Sequence, residues 1–261
     1  MWQENVSRSG RNAIELKSPA ELDIMRRAGA ILQKVILEVV EAVRPGVTTL
    51  ELDKLAHDRI KQAGGKPAFL GLYGFPKTLC ISVNEEVVHG IPGKRELAEG
   101  DIVSIDCGVK LKGFYSDTAY TVAVGKVTPE VERLLEVTQR SLALGIEQCQ
   151  VGNRLGDIGN AVQVCAEGAG FSLIKDYGGH GVGRALHEDP RVENFGRPGT
   201  GTRLKAGMVI AVEPMVAIGE GDTEVLEDEW TVVTRDRSYA AHFEHTIAIT
   251  ENGPEILTRV D

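Results

Sequence analysis

Two histidines stand in a segment that is unusually rich in glycine. His180 and His187 lie within residues 178–190, where four of the first six residues are glycine. Glycine allows other backbone to approach closely, which makes a shaped loop or a strand end more plausible than a helix. Side chains that bind or catalyse are often carried by loops that a rigid scaffold positions. The segment therefore predicts a functional imidazole, either a metal ligand or a catalytic group.

Two aspartates flank a predicted turn. Residues 101–124 alternate between apolar and small or polar side chains on either side of Lys112 and Gly113, which predicts a β-hairpin. With a two-residue turn, Asp106 and Asp117 are expected directly opposite each other, with Cβ atoms about 4.5–5.5 Å apart. Two carboxylates at that distance repel each other, so they need a cation or a shared proton.

Two glutamates occupy similar settings in the second half of the chain. Glu213 lies at the end of a predicted strand and shares its face with Ala211. Glu244 shares its strand face with Thr246 and Ala248. The small neighbours leave room around each carboxylate, as the small residues around the two aspartates do. These strand faces are expected to border a cavity, whereas the opposite faces are apolar and belong to the core.

The second half of the chain repeats the order of the first: a long helix, a shorter helix, and a strand that ends in a carboxylate. Leu97–Asp106 matches Leu204–Glu213, and glycines flank the shorter helix in both halves. Several matches at nearly one offset indicate an internal duplication. We therefore expect one α+β domain with pseudo-twofold symmetry and a site between its halves. The two glutamates are then the counterparts of the two aspartates.

By this symmetry, four carboxylates and one imidazole converge. The candidate ligands are Asp106, Asp117, His180, Glu213 and Glu244. Oxygen-rich sites with one imidazole suit hard or borderline divalent ions, here two ions of Mn, Fe, Co or Zn. Two metals about 3.5–4 Å apart can share a hydroxide and polarise a carbonyl, which is hydrolytic chemistry. Each acid alone could be a solvated hairpin residue, but four at duplicated positions fit that alternative poorly.

Capping residues and periodicity predict the helices and strands that carry these residues. Helices are expected to begin at Ser18-Pro19 and end before Pro45, to run from Thr48 to about Ala63, to begin at Thr128-Pro129, and to run from Leu155 to about Glu167. Leu79–Val83 is a predicted strand, and strand-like segments dominate from 171 to 261.

The composition excludes several classes of protein. No run of 18 apolar residues occurs, so no membrane span is expected. The four scattered cysteines favour a reducing, cytoplasmic compartment over a disulfide framework. A net charge of −9 without a basic run argues against direct nucleic-acid binding. Residues 1–14 are interpreted as a polar tail, and residues 15–261 as a single catalytic domain.

From about residue 15 to its end, the chain resembles type I methionine aminopeptidases. The motifs that carry the resemblance are Asn84–Pro92 with His89, the hairpin of Asp106 and Asp117, Gly179–Gly183, His187–Pro190, Glu213-Pro214-Met215 and Phe243–Thr246. The resemblance implies the pita-bread fold around a dinuclear metal site. The five candidate ligands would bind the metals, His89 and His187 would contact the scissile amide, and Glu213 would also be the general base. A metal-bridging hydroxide would attack the scissile carbonyl.

The resemblance also implies a substrate and its pocket. The enzyme would remove the N-terminal methionine of nascent polypeptides when the next residue is small, as a monomer, with the ribosome as a candidate further partner. The methionine pocket would be formed by Phe69, Leu72, Phe75, Cys80, Leu186 and Trp230. Departures from the family pattern are Gly108, where many members have threonine, and Phe69, Leu72 and Leu186, where cysteine, tyrosine and phenylalanine are common.

Two alternatives use the same fold. Xaa-Pro peptidases and creatinase usually carry a sizeable N-terminal domain that is not expected here. A metal-free binding protein of this fold should have lost ligands, and all five are present. Type II methionine aminopeptidases have a helical insertion between the equivalents of His187 and Glu213. Only 25 residues separate these positions here, which favours type I.

Overall fold

A computed structural model of the protein describes residues 13–259. Its helices are α1 (Pro19–Glu41), α2 (Thr49–Gln62), α3 (Pro129–Glu147) and α4 (Leu155–Gly168). The predicted caps are present: the carboxylate of Glu21 accepts hydrogen bonds from the backbone N–H and hydroxyl of Ser18, and Glu51 does the same at Thr48. These bonds satisfy donors that a helix start leaves free, which explains why both helices begin where they do.

The strands are short apart from one long hairpin, and a 3₁₀ turn lies at Leu72–Gly74. In chain order they are β1 (Lys66–Pro67), β2 (Leu79–Val83), β3 (Glu86–Val88), β4 (Ile102–Leu111), β5 (Phe114–Ala123), β6 (Ser172–Leu173), β7 (Gly179–Gly181), β8 (Glu188–Val192), β9 (Val209–Val212), β10 (Met215–Ala217), β11 (Thr223–Val225), β12 (Val232–Thr234), β13 (Ala240–His242), β14 (Glu244–Thr250) and β15 (Gly253–Ile256).

The main sheet joins the two halves of the chain. Its strand order is β1-β4-β5-β14-β9-β7-β8, with β2 beside β4 and β15 beside β14. The strands that carry the aspartates, β4 and β5, mirror β9 and β14 across the β5–β14 pairing. Within residues 13–259, two further three-stranded sheets, β13-β10-β6 and β11-β12-β3, complete the fold. The predicted duplicated α+β arrangement is thus present.

One face of the main sheet packs on the helices. In the first half, Ile105 and Cys107 of β4 lie in a buried cluster with Leu32 and Ile36 of α1. The second half repeats this packing with strands β9 and β14 against helices α3 and α4, again through alternate apolar residues. Because strand side chains alternate between faces, the carboxylates are left on the opposite face.

The hairpin register differs from the sequence-based prediction. Lys112 and Gly113, with φ of 48° and 93°, form the two-residue turn, and both need the positive φ that such turns demand. The prediction centred the turn one residue earlier. The observed pairs are Asp106 with Ala119 and Gly108 with Asp117. The prediction that the two aspartates lie directly opposite is therefore wrong; they are diagonal neighbours on one face.

Residues 1–12 of the predicted tail lie outside the described residues, whereas Ile14 packs in part against the core around α3. Among the helices described, none is long and apolar enough to cross a membrane. The four cysteines are free thiols, as predicted.

Candidate active site

A cavity of about 240 Å³ lies on the carboxylate face of the main sheet. Its lining includes every predicted metal ligand together with both predicted catalytic histidines, and these residues are Asp106, Asp117, His180, Glu213, Glu244, His89 and His187. They come from strands β4, β5, β7 and β14 and from the segments that follow β3, β7 and β9. The structure therefore brings together residues as far apart in the sequence as His89 and Glu244.

Distances within the cavity are those of a ligand cluster. Asp117, His180 and Glu244 each present an atom, and these atoms all lie within 4.8 Å of one another. The Nε2 atom of His180 is 3.6 Å from Oε1 of Glu213 and 4.0 Å from Oδ2 of Asp117. Asp106 lies beside Asp117 on the same strand face and also lines the cavity.

The glycines around His180 are explained by close strand packing. A Cβ atom on Gly179 would lie 2.1 Å from the backbone oxygen of Ala211, and one on Gly181 would lie 2.3 Å from that of Asp189. Only glycine allows the strands on both sides to approach this closely. The Nδ1 atom of His180 is 2.9 Å from the backbone oxygen of Gly181. A proton on Nδ1 leaves the Nε2 lone pair facing the carboxylates, the usual arrangement of a metal-bound histidine.

Burial and mutual repulsion disfavour the charged forms of the carboxyl groups. Burial raises the pKa of Asp117 to about 7 and, with the charge of Asp117, that of Glu213 to about 8. The pKa values of Asp106 and Glu244 are raised well above their ordinary range, first by burial and then by the neighbouring carboxylates. A carboxylate cluster this buried needs a cation to be ionised at neutral pH.

The donor set fits divalent metal ions. Among the described residues, one carboxylate oxygen each of Asp106, Asp117 and Glu244 is buried without a hydrogen-bond partner. Buried polar atoms are normally satisfied, so these oxygens require another partner. Several carboxylates with one imidazole form the ligand set that Mn, Fe, Co and Zn accept.

Two histidines flank the carboxylates, and burial keeps both of them neutral. Burial lowers the pKa of His89 to about 4 and that of His187 well below its ordinary value. The ring of His187 packs edge-on against His180, with centroids 4.4 Å apart, and stacks on Tyr73 at 6.1 Å. His89 has a φ of 62° and meets Tyr177 edge-on. Their position beside the ligand cluster suits contacts with a bound substrate.

Sequence reasoning missed His242. Its Nε2 atom is 3.6 Å from Oε2 of Glu213, and its side chain is buried. The strand alternation could have revealed it, because His242 stands two residues before Glu244 and so faces the same way. Further cavity residues that the sequence analysis did not single out as site residues are Val88, Tyr177, Asp189 and Arg191.

An apolar cluster adjoins the carboxylates. It contains all six residues of the predicted methionine pocket, namely Phe69, Leu72, Phe75, Cys80, Leu186 and Trp230. Cys80 of β2 pairs directly with Asp106 of β4, and Phe69 lines the cavity itself. The cluster also includes Ala68, Ile91 and Tyr115, which were not predicted.

Gly108 is required by the apolar cluster. It lies opposite Asp117 on the cavity face, and a Cβ atom there would lie 2.8 Å from both the Phe69 ring and the Ala68 methyl group. Such a contact is far shorter than van der Waals packing allows. Phe69, Ala68 and Gly108 therefore form one packing unit.

Comparison with known proteins gives consistent matches. The sequence model of metallopeptidase family M24 matches residues 23–251. A protein of Clostridium perfringens named methionine aminopeptidase is 54% identical, over 95% of this chain and 99% of its own. One of Bacillus subtilis named methionine aminopeptidase 1 is 50% identical, over 94% and 98%. A crystal structure of methionine aminopeptidase from Thermotoga maritima has a TM-score of 0.94 at 46% identity, covering 95% of this chain and all of that one. The pita-bread fold predicted from the sequence is confirmed.

Proposed function

The chain belongs to metallopeptidase family M24, and we propose that it removes the N-terminal methionine from nascent polypeptides. The observation that carries the proposal is the cavity in which buried carboxylates, neutral histidines and an apolar cluster meet. The relatives at 54% and 50% identity are named methionine aminopeptidases, which favours this substrate over Xaa-Pro peptides.

The family implies divalent metal ions, and we propose two of them, of Mn, Fe, Co or Zn. The residues that would hold them are Asp106, Asp117, His180, Glu213 and Glu244. Bound there, such ions supply a Lewis acid for the scissile carbonyl and lower the pKa of a water molecule. The carboxylate oxygens and the imidazole suit hard or borderline ions. The positive charge of such ions would relieve the repulsion between the carboxylates.

The surrounding residues bind and orient the substrate. His187, neutral and beside His180, donates a hydrogen bond to the scissile carbonyl oxygen, where negative charge develops. His89, which lines the same cavity, contacts the amide nitrogen. Glu213 accepts the proton of the attacking water, since a carboxylate at this position lies next to the site of attack.

The methionine side chain occupies the apolar cluster, which is continuous with the cavity through Phe69. The next side chain then faces the wall formed by His89 and the backbone of Gly178 and Gly179. Gly179 packs against Ala211 without space for even a Cβ atom, so this wall has little room to retreat. Small residues after the methionine are therefore accepted, whereas bulky ones displace the amide from its attack geometry.

The test compares three peptides with Mn²⁺ present: Met-Ala-Ser, Met-Leu-Ser and an Ala-Pro peptide of equal length. We expect rapid release of methionine from the first, little from the second, and no cleavage of the third. Preferential cleavage of the Ala-Pro peptide would indicate an Xaa-Pro peptidase. Binding of peptides without cleavage of any would indicate a binding protein. A monomeric state, a cytoplasmic location and a contact with the ribosome stay predictions from the sequence.

A further inference from the structure

A buried lysine lies outside the cavity and has no part in the chemistry described above. Lys17 precedes helix α1, and only 2% of its side chain is exposed. Its ammonium donates to Oε2 of Glu188 at 2.7 Å and to the backbone oxygen of Glu15 at 3.1 Å. Lysine is rarely buried unless it is paired, so this position is specified by its partner.

Glu188 uses its second oxygen to close the loop that carries His187. Its Oε1 atom accepts a hydrogen bond from the backbone N–H of Ala185 at 3.0 Å, and the N–H of Gly183 donates to the oxygen of Ala185. The same loop contains Leu186, which lies in the apolar cluster. One carboxylate therefore holds the turn that places one catalytic and one pocket residue.

The ion pair lies directly on the loop backbone. A Cβ atom on Gly183 would lie 2.4 Å from Cε of Lys17 and 2.5 Å from Oε2 of Glu188. Lys17 itself is anchored to the main body of the protein, because its backbone N–H donates to the oxygen of Gly207 at 2.7 Å. The segment before α1 is thus connected to the loop through one buried charge.

Arg184 makes a second connection, which contributes much less. It pairs with Glu15 and Glu21, but 56% of its side chain is exposed. Exposed ion pairs gain little because water and salt screen them. By contrast, loss of one partner from a buried pair leaves an uncompensated charge, which is strongly unfavourable. The buried pair of Lys17 and Glu188 is therefore the stronger of the two connections to the loop.

We propose that Lys17 is a positioning residue that acts through Glu188 to hold His187 and Leu186 in their working positions. The inference rests on the proposed function, in which His187 contacts the scissile carbonyl. Without the ammonium, the carboxylate of Glu188 turns toward water and releases the N–H of Ala185. The loop then relaxes, whereas the proposed metal ligands lie on strands β4, β5, β7 and β14 and directly after β9, outside residues 183–188.

The test is a double-mutant cycle of Lys17→Met and Glu188→Gln, with activity expressed per active site, counted by bound Mn²⁺. Displacement of a catalytic group by about 1 Å costs on the order of 10²-fold in rate, so we expect Lys17→Met to lower kcat by about 10- to 100-fold. The double variant should lose no more than Lys17→Met alone, because both changes remove one interaction. Bound Mn²⁺, measured by calorimetry, should be unchanged.

Arg26→Met is the matched control. It removes another ion pair of the N-terminal region, between Arg26 and Glu255, away from the loop, and should leave kcat as in the wild type. A purely structural role for Lys17 would reduce the number of active sites but not kcat per site, and that result would overturn the inference. Additive losses in the double variant would also overturn it.

If Lys17→Met does not fold, Glu188→Gln tests the inference alone. It keeps an acceptor for Ala185 but weakens the bond to Lys17, so kcat per site should fall by less than in Lys17→Met. An unchanged kcat would contradict the inference. If the wild type releases no methionine from Met-Ala-Ser, the proposed function fails instead, so the two failures are distinguishable.

Discussion

The cavity has two walls that differ in what they contribute. The apolar wall, formed by the cluster around Phe69 and Phe75, is buried and contributes stability in proportion to the apolar area that it removes from water. The polar wall, formed by the five candidate ligands, buries carboxylates whose pKa values are raised by burial and by each other. Without metal ions it opposes folding. One wall therefore stabilises the protein, whereas the other holds the groups that are proposed to react.

The largest expected effect is on the apolar wall. Phe75 is fully buried and packs edge-on against Trp230, with ring centroids 5.1 Å apart. Phe75→Ala should lower the free energy of unfolding by about 3–5 kcal/mol, because it removes buried area and leaves a cavity. Urea denaturation of the metal-free protein measures this change.

Asp106→Asn is the matched variant on the polar wall. It removes a carboxyl group whose charged form is disfavoured by burial and by two neighbouring carboxylates. We expect the metal-free variant to be at least as stable as the wild type, although it should lose activity. If Asp106→Asn destabilised the metal-free protein as much as Phe75→Ala does, the contrast between the walls would be wrong.

The next effect is on turnover. His187→Ala removes a proposed donor to the carbonyl oxygen, and loss of one such donor typically lowers kcat by about 10²–10³-fold. Bound metal, determined by elemental analysis, should stay at the wild-type level. The control is His57→Ala, the same change at a half-buried histidine outside the cavity that contacts Thr78. Loss of metal in the His187 variant would make this residue a ligand.

The last expected effect is on the pH dependence of stability. The pKa values of Asp117 and Glu213 are raised to about 7 and about 8, so the folded metal-free protein holds protons that the unfolded chain has lost. Buried histidines act in the opposite direction. Burial lowers the pKa of His180 to about 4, whereas a histidine of the unfolded chain has a pKa of about 6.5. Above about pH 6.5 the histidines are neutral in both states and no longer contribute to the pH dependence.

Above about pH 6.5 the carboxyl groups act alone. The free energy of unfolding should therefore fall as pH rises to about 8, by about 1.4 kcal/mol per pH unit for each proton involved. Saturating Mn²⁺ should remove the fall, because metal binding requires the deprotonated ligands. Denaturation curves with chelator and with Mn²⁺ measure both. A stability of the metal-free protein that stays constant or rises over this range would refute the raised pKa values.

Local rules predicted much of the fold and its elements. The caps at Ser18 and Thr48, the hairpin and the duplicated strand order follow from residue spacing, and the structure contains them. The predicted hairpin register was wrong by one residue, because no residue type excludes a turn centred between Leu111 and Lys112. In the structure the turn residues are Lys112 and Gly113, which both have a positive φ.

Contacts between distant segments could not be predicted. Lys17 and Glu188 are 171 residues apart, and no periodicity links them. The need for Gly108 arises from the positions of the Phe69 ring and the Ala68 methyl group on another segment. The approach of His242 to Glu213 likewise depends on where strands β9 and β13 end. Strand alternation predicts only that His242 faces the same way as Glu244. Such pairs depend on tertiary packing, which residue types and spacing do not encode locally.

We expect the polar wall to react only when metal ions offset its charges. The direct measurement is release of methionine from Met-Ala-Ser by chelator-stripped protein as Mn²⁺ is added back, with bound metal determined in parallel. We predict no release without metal, and release that rises with bound Mn²⁺ until the site is saturated. Full activity in protein that elemental analysis finds free of metal would contradict the account.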